Sequence, residues 1–536
     1  LLGACANATP GDTTPIKVGG GSGAVGPNGK AADVALDLGS IELKGVFYEP
    51  LALGRPGVPL VQAKQKMSLD KHRAAMTKAK DPVVKQAEAA IIATMLYEQS
   101  KTQTGDVQQK SITDARQTLR DVATAVGADV DELTLRSLGS YELLLADYAS
   151  AEKDWAQLVT MLPKDKTEPA NRAWWAYSLL VQGKNKEAVE AITGAPTPGS
   201  EKQPELAYVT AWVKWRTGDS AGAWQALLLA VKGWGQLANK DTLDLETLVI
   251  AGHSNIPAAQ QIKDLLPLLA GKDQTLAYKL HTDLGLKAYA NGGRWTDAIA
   301  ELEKALDTEG KKTPPQDIVK VRYEQADFTV RLDDPATSAK YAKQALDALP
   351  GCGDKCTDKD KAAIIEATHT LAKLFYIVYA TAHDDRYYQP AHDLYDIVIP
   401  AFATDKDREP AVVEKNELER WLKTLSRKEK AGDGTHDKGA LGAIIKSHNE
   451  EVQSCYEVRL SANKQLAGPL VVNLESDQTG AVKGVSTEPK AGMADMSAVA
   501  ACVAERARGW RLPKTANGTG PTHSTRIKVT YALSKK

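Results

Sequence analysis

The sequence predicts a mainly α protein, a solenoid of helical hairpins followed by a small α+β domain of order α-β-β-α-β. Three observations carry this reading. From about Pro82 to Glu429 apolar residues recur at helical spacing almost throughout. Within that stretch a small residue returns at Ala115, Ala151, Ala188, Ala223, Ala259, Ala298 and Ala339, at spacings of 36, 37, 35, 36, 39 and 41. Beyond Ala440 the helical period gives way, in places, to the alternation of strands. At 536 residues the chain is long enough for several domains or one long array, and 43% apolar with 25% charged residues is ordinary for a globular protein.

In chain order, residues 1–5 read LLGAC. A Leu three positions before a Cys, two small residues and then Cys5 resemble the bacterial lipobox, which the lipoprotein signal peptidase reads. Cys5 is therefore the expected lipidation site, and Leu1–Ala4 would fall outside the mature protein. The other four cysteines agree with that expectation. Once Cys5 is set aside, Cys352 with Cys356 and Cys455 with Cys502 remain as two local pairs, suited to an oxidising compartment. Residues 6–40 read as a flexible Gly/Pro-rich tether with nothing to bury. Its formal GxGxxG (Gly21, Gly23, Gly26) lacks the flanking strand and helix that a dinucleotide site needs. Residues 41–81 read as an extended arm and a first helix, and the alternating IELKGVFY (Ile41–Tyr48) within them reads as one edge strand or part of that arm. No run approaches 18 uninterrupted apolar residues, so no segment reads as a membrane span.

Residues 82–429 form the expected repeat domain. Its clearest unit, DLGLKAYANGGRWTDAIAELEKAL (Asp283–Leu306), resembles the tetratricopeptide (TPR) pattern. Leu284 and Gly285 fall in the first helix, and Ala298, Leu302 and Ala305 in the second. Gly285 and Ala298 are small where the two helices approach most closely, and larger residues fill the groove between units. One extra residue relative to the pattern is assigned to the Gly292-Gly293 turn. Weaker copies share a turn followed by Ala: ADYASAE, GKNKEAV and GDSAGAW. Such units cannot bury their apolar faces alone; they stack into a solenoid whose groove binds peptides or helices. Trp155, Trp174, Trp175, Trp212, Trp215, Trp224 and Trp295 are expected in the core between repeats rather than lining that groove.

Residues 430–440, charged and Gly-containing, read as a linker, and 441–536 as the terminal domain. An amphipathic helix there carries Ile444, Ile445, His448, Val452, Cys455 and Tyr456 on or beside one face. Two strands around a DQTG turn follow, then a second helix and a closing strand. SCYEVRL, the GPLVVNLESDQTGAVKGV hairpin and ACVAERARGWRLP resemble the AgmX/PglI C-terminal domain of myxobacterial envelope proteins, itself similar in layout to the TonB C-terminal domain. Arg511-Leu512 departs from the Phe-Pro usual there. The resemblance implies myxobacterial origin and a place in a trans-envelope machine, adventurous gliding motility being the best-known setting. With the lipobox and the repeats, the whole resembles the outer-membrane TPR lipoproteins of that machinery. A Cys455–Cys502 bridge would close a loop of some 48 residues, worth about 4 kcal/mol in the chain-entropy model.

Catalytic chemistry is not expected. GCGDKC (Cys352, Cys356) lacks two further zinc ligands nearby and reads as a local disulfide. HDDRYYQPAHD places His383 and His392 across a Pro390 break and reads as solvated repeat surface; GDGTHD (Asp433, His436, Asp437) sits in the linker. There is no GxSxG, P-loop or HExxH, so no enzyme, metal or cofactor is expected. A net charge of −1 argues against nucleic acid. From Glu505 to Lys536, however, eight Lys/Arg face one acidic residue. This is read either as solvated strand and tail positions or as a basic face for an acidic partner, cell-wall polymer or lipid headgroups. The expected protein is a non-catalytic outer-membrane lipoprotein facing the periplasm. It would be held in the inner leaflet by the lipid on Cys5, and would scaffold envelope proteins of a motility or secretion complex. The alternatives are a pilotin-like or secretion-assembly TPR lipoprotein, or a metal-dependent hydrolase built on the HDD region.

Overall fold

The computed structural model describes residues 34–53, 56–62, 67–162, 168–193, 203–233, 240–309, 313–382, 384–428, 438–477, 479–489, 494–512 and 525–536. Cys5, the GxGxxG, His383 and the linker trio Asp433, His436 and Asp437 lie outside these residues.

A strand, β1 (Val34–Gly45), opens the described chain, and helix α1 (Leu69–Lys78) precedes the repeats. Antiparallel hairpins then follow one another. They are α2 (Pro82–Ser100) with α3 (Gly105–Val126), α4 (Glu132–Leu144) with α5 (Tyr148–Met161), and α6 (Pro169–Val181) with α7 (Asn185–Ile192). Next come α8 (Pro204–Arg216) with α9 (Ser220–Lys232), and then α10 (Lys240–His253) and α11 (Ala258–Leu269), which pack on α9 and on the helical segment after them more than on each other. Then come α12 (Gln274–Asp283) with α13 (Trp295–Glu309), and α14 (Pro315–Arg331) with α15 (Pro335–Ala348). An eighth pair, α16 (Asp358–Ala382) with α17 (Tyr388–Val398), and a closing helix α18 (Asp405–Lys428) complete the array.

The turn-then-Ala signature has a backbone cause. At five turns a residue with positive φ (Ala146, Gly183, Gly218, Gly293, Asp333) immediately precedes the N-cap of the second helix. Asp caps three of these helices, accepting from the N–H of Ser150, Gly222 and Thr337. Five residues after the positive-φ position the chain meets the first helix, and a small buried side chain stands there: Ala151, Ala188, Ala223, Ala298 and Ser338. Two expected anchors shift by one residue. Ala259 is exposed while Ala258 is buried, and Ser338, whose hydroxyl donates to the Ala326 carbonyl (2.7 Å), stands in the place assigned to Ala339.

The extra residue assigned to the Gly292-Gly293 turn lies elsewhere. That turn has the same spacing to Ala298 as its counterparts. The insertion is taken up one turn earlier, where α12 runs into a single π-helical turn, Leu284–Tyr289, with Ala290 N–H donating to the Gly285 carbonyl (3.1 Å). Gly285 is still required: a Cβ there would stand 2.8 Å from Leu302 Cγ and 3.2 Å from the Ala298 carbonyl oxygen.

The terminal domain contains α19 (Lys438–Lys446), α20 (Asn449–Ala462), β2 (Gly468–Ser476), β3 (Val482–Pro489), α21 (Ala494–Ala507) and β4 (Thr525–Lys535). Its first helix, expected as one, divides at Ser447-His448. The sheet has the order β1-β4-β2-β3, with β1 parallel to β4 and the other pairs antiparallel. Alternation puts Leu470, Val472, Leu474, Ile527, Val529 and Tyr531 in the core beneath α20 and α21.

The boundary expected at residue 40 is therefore wrong: 34–40, assigned to a flexible tether, belong to a strand that completes the terminal sheet. The missed signal is a parity shift. Leu36 and Leu38 face the core, and so do Ile41 and Leu43, which a uniform strand forbids. A bulge between Asp37 and Ser40, with Gly39 at φ +81°, restores the face.

Disulfides join Cys455 to Cys502, between α20 and α21, and Cys352 to Cys356, at the 3₁₀ segment after α15. Two large cores result. One fills the hairpins from α4 to α14 and includes Ala52 and Leu53; the other joins α14–α18 to the terminal domain. Among the described residues no helix is long and apolar enough to cross a membrane.

Candidate functional site

Leaving β1, the chain runs as an extended arm over the first helices of the middle hairpins. Arg216, at the end of α8, donates to the Leu180 carbonyl (2.5 Å) and to the arm's Tyr48 carbonyl (2.9 Å). Its guanidinium lies over the rings of Phe47 (4.9 Å) and Trp212 (5.6 Å). The Tyr48 ring stands edge-on to Trp215 and His253. Glu246 of α10 then receives the arm's backbone, accepting from Leu51 N–H (2.6 Å) and Ala52 N–H (3.0 Å) as well as from Tyr208 Oη (2.5 Å) and Trp212 Nε1 (3.2 Å). Burial pushes the Glu246 carboxyl up to about 7 against the pull of these four donors, and burial lowers Arg216 to about 10. Further along, Val58 enters the core of α2–α4, and Val61 N–H donates to Thr94 (3.0 Å).

The terminal domain docks beside the arm, and two carboxylates on α20 organise the contact. Glu457 accepts from the arm's Val46 N–H (2.8 Å) and meets His253 Nε2 at 2.9 Å. His253 Nδ1 meets the Val249 carbonyl (3.0 Å), so both ring nitrogens face oxygen acceptors. Glu451 accepts from His448 Nδ1 (2.9 Å), Trp295 Nε1 (3.0 Å) and Trp510 Nε1 (2.9 Å), and His448 stacks on Trp510. Burial alone would raise the Glu451 carboxyl; His448 and the two indoles hold it below the usual range. Gly293 makes the approach possible, since a Cβ there would lie 2.8 Å from Glu451 Cα. Arg506 of α21 donates to the Gly292 carbonyl (3.0 Å), Asn185 to the Ala462 carbonyl (2.9 Å), and Arg331 pairs with Glu450 (3.6 Å). The terminal domain thus touches turns or helix ends of successive hairpins from α6 to α14.

Gly285, Ala298, Leu302 and Ala305, the residues expected to pack repeats, are all buried, with Gly285 lying against Ala298 and Leu302. The tryptophans are buried apart from the partly covered Trp175, but not for a single reason. Trp155 and Trp224 are inter-helix core, whereas Trp212, Trp215 and Trp295 face the arm or the terminal domain. Asp384 and Tyr387, expected on solvated surface, are buried, while Asp385 between them is exposed. Arg386 pairs with Asp384 (2.7 Å) and Asp333 (2.6 Å), Tyr387 Oη donates to Asp333 (2.6 Å), and Asp384 is buried. This network pins α15 to α17 and explains a non-glycine residue, Asp333, at φ +55°. Among the described residues no three His, Cys, Asp or Glu side chains converge as metal ligands would.

No family model and no curated protein matches this chain. Among solved structures, the C-terminal part of a TPR repeat-containing protein from Cytophaga hutchinsonii is similar to 60% of this chain and 97% of that one, at 15% identity and a TM-score of 0.30. The hairpin-solenoid assignment rests on the helix pairing of the chain itself.

Proposed function

We propose that the protein is a non-catalytic scaffold for protein–protein interaction in a bacterial envelope. One observation carries the reading: the faces of α8 and α10 hold an extended segment by its backbone N–H groups, a carbonyl and an aromatic side chain. That is how a peptide groove works, and here the chain's own arm occupies it. Anchoring rests on LLGAC, with lipid on Cys5 and the inner leaflet of the outer membrane as its site. Placement in a trans-envelope machine, gliding motility first, rests on SCYEVRL and ACVAERARGWRLP. Tethering would raise the effective concentration of partners near that membrane.

Two measurements test this. Cys5→Ala should move the protein from the membrane to the soluble fraction; continued membrane attachment defeats the anchor. Photo-crosslinking from the exposed Leu51 in intact envelopes should capture motility components. Capture of secretin subunits would reassign the protein to secretion assembly, and a bare adduct to lipid or cell wall would remove the scaffold role.

A further inference from the structure

Where the terminal domain meets the solenoid there is a half-open cavity of about 330 Å³ with four arginines on its walls, Arg294 and Arg331 from the solenoid and Arg506 and Arg511 from the terminal domain. Two are neutralised in place. Arg294 pairs with Asp297 (2.8 Å) and donates to the Ala251 and Ile256 carbonyls; Arg331 pairs with Asp327 and Glu450. The cavity's own Glu451 already accepts from three donors, His448, Trp295 and Trp510.

Arg506 and Arg511 differ. Arg506 is largely buried, its hydrogen bond goes to a neutral carbonyl, and burial lowers its pKa even though the charges of Glu451 and Glu505 oppose the shift. Arg511 is exposed, and neither residue has an ion-pair partner among the described residues. From Arg506 to Lys536 the chain contains no Asp or Glu, Glu505 being the acidic residue nearest in sequence. A desolvated guanidinium with a second beside it is a costly arrangement unless an anion completes it.

We propose that this cavity binds a carboxylate, borne by an acidic side chain or the C-terminus of a partner polypeptide. The planar guanidinium forks match carboxylate geometry. Asp297 and Glu451 line the same cavity, so a single negative charge is admitted more readily than the double charge of a phosphate. Indole and imidazole from Trp510 and His448 form an apolar flank for the carbons that carry the anion. The space equals about ten waters at roughly 30 Å³ each, enough for one acidic residue with its flanking backbone. That the carboxylate belongs to a protein rests on the scaffold reading; that the cavity takes a carboxylate does not.

The probes are the blocked peptides acetyl-Gly-Glu-Gly-amide and acetyl-Gly-Gln-Gly-amide and inorganic phosphate. Each is titrated into the full chain at constant ionic strength and followed by calorimetry and by chemical shifts of the tryptophan indoles. The Glu peptide should bind at least tenfold more tightly than the Gln peptide and no more weakly than phosphate. Arg511→Gln, at an exposed side chain that makes no docking hydrogen bond among the described residues, should weaken the Glu peptide five- to tenfold without moving the unfolding temperature. Arg506→Lys, which keeps charge but loses the fork, should weaken it by a similar factor. Equal binding of the Glu and Gln peptides, or an Arg511→Gln chain that binds as wild type, overturns the site. Phosphate binding tenfold tighter than the Glu peptide overturns the carboxylate assignment. If the Glu peptide binds but envelope crosslinking finds no protein, the scaffold reading falls and the site stands.

Discussion

The front and the middle of the array are built from the same hairpin but held in different ways. In α3–α5, Arg120 lies between the buried Glu142 and Asp154, Arg116 pairs with Asp147, and Tyr141 Oη donates to the Ala93 carbonyl. Every partner sits within 50 residues, one hairpin away. In α8–α14 several buried polar groups reach 156 to 214 residues along the chain, to the arm and the terminal domain. A repeat array is ordinarily one-dimensional, each unit stabilised only by its neighbours. The front of this protein comes close to that, taking from outside the array only the far end of the arm at Val58 and Val61. The middle is closed upon itself, and its stability is tied to both ends of the described chain.

The largest effect should come from opening that closure. Glu451→Ala leaves His448, Trp295 and Trp510 without their acceptor in a buried junction, a loss of about 4 kcal/mol by analogy with other broken buried pairs. Hydrogen exchange should show protection falling together in α19–α21, β1 and the arm, with α2–α5 unchanged. An equal fall in α2–α5 would erase the distinction between the regions.

Protons offer a sharper probe of the arm alone. Glu246 is raised from 4.5 to about 7 by burial, so between those values the folded protein keeps a proton that the unfolded chain releases. Its contribution is full below pH 4.5 and declines as pH rises to 7, by about 3 kcal/mol at 1.36 kcal/mol per pKa unit. Glu451, held low, acts in the opposite sense: its contribution is present above its unfolded value and is lost as pH falls through the lowered one. Glu246→Gln should therefore gain stability on wild type as pH rises from 4.5 to 7. Parallel pH curves for the two proteins would show that the Glu246 carboxyl is not desolvated by the arm.

How far the sequence reveals all this follows the same division. Hairpin packing repeats, so Ala151, Ala188, Ala223 and Ala298 announce themselves by spacing, and Gly285 by its place opposite Leu302. The π turn that hides an inserted residue is silent, because helix and π turn share one apolar stripe. Closure happens once. Glu246, His253, Glu451 and Glu457 look like ordinary helix-surface residues until the arm and the terminal domain cover them. The second half of the strand at 34–45 shows in the alternation of IELKGVFY, but the first half is legible only through the parity change between Leu38 and Ile41. Asp384 and Arg386 looked solvated for the same reason: their cover, Asp333, arrives from another hairpin.

The smallest effect tests where the closed region ends. Cys352 and Cys356 bridge a five-residue ring, worth about 2 kcal/mol in the chain-entropy model. They stand beside a small satellite cluster of Val319, Leu349 and Ile364, separate from the core that α16–α18 share with the terminal domain. Cys352→Ser with Cys356→Ser should thus loosen the segment between α15 and α16 and leave β1, α20 and α21 as protected as before. If protection in those elements falls as well, the satellite cluster belongs to the closure, and the boundary between locally held and globally held repeats moves back to α14.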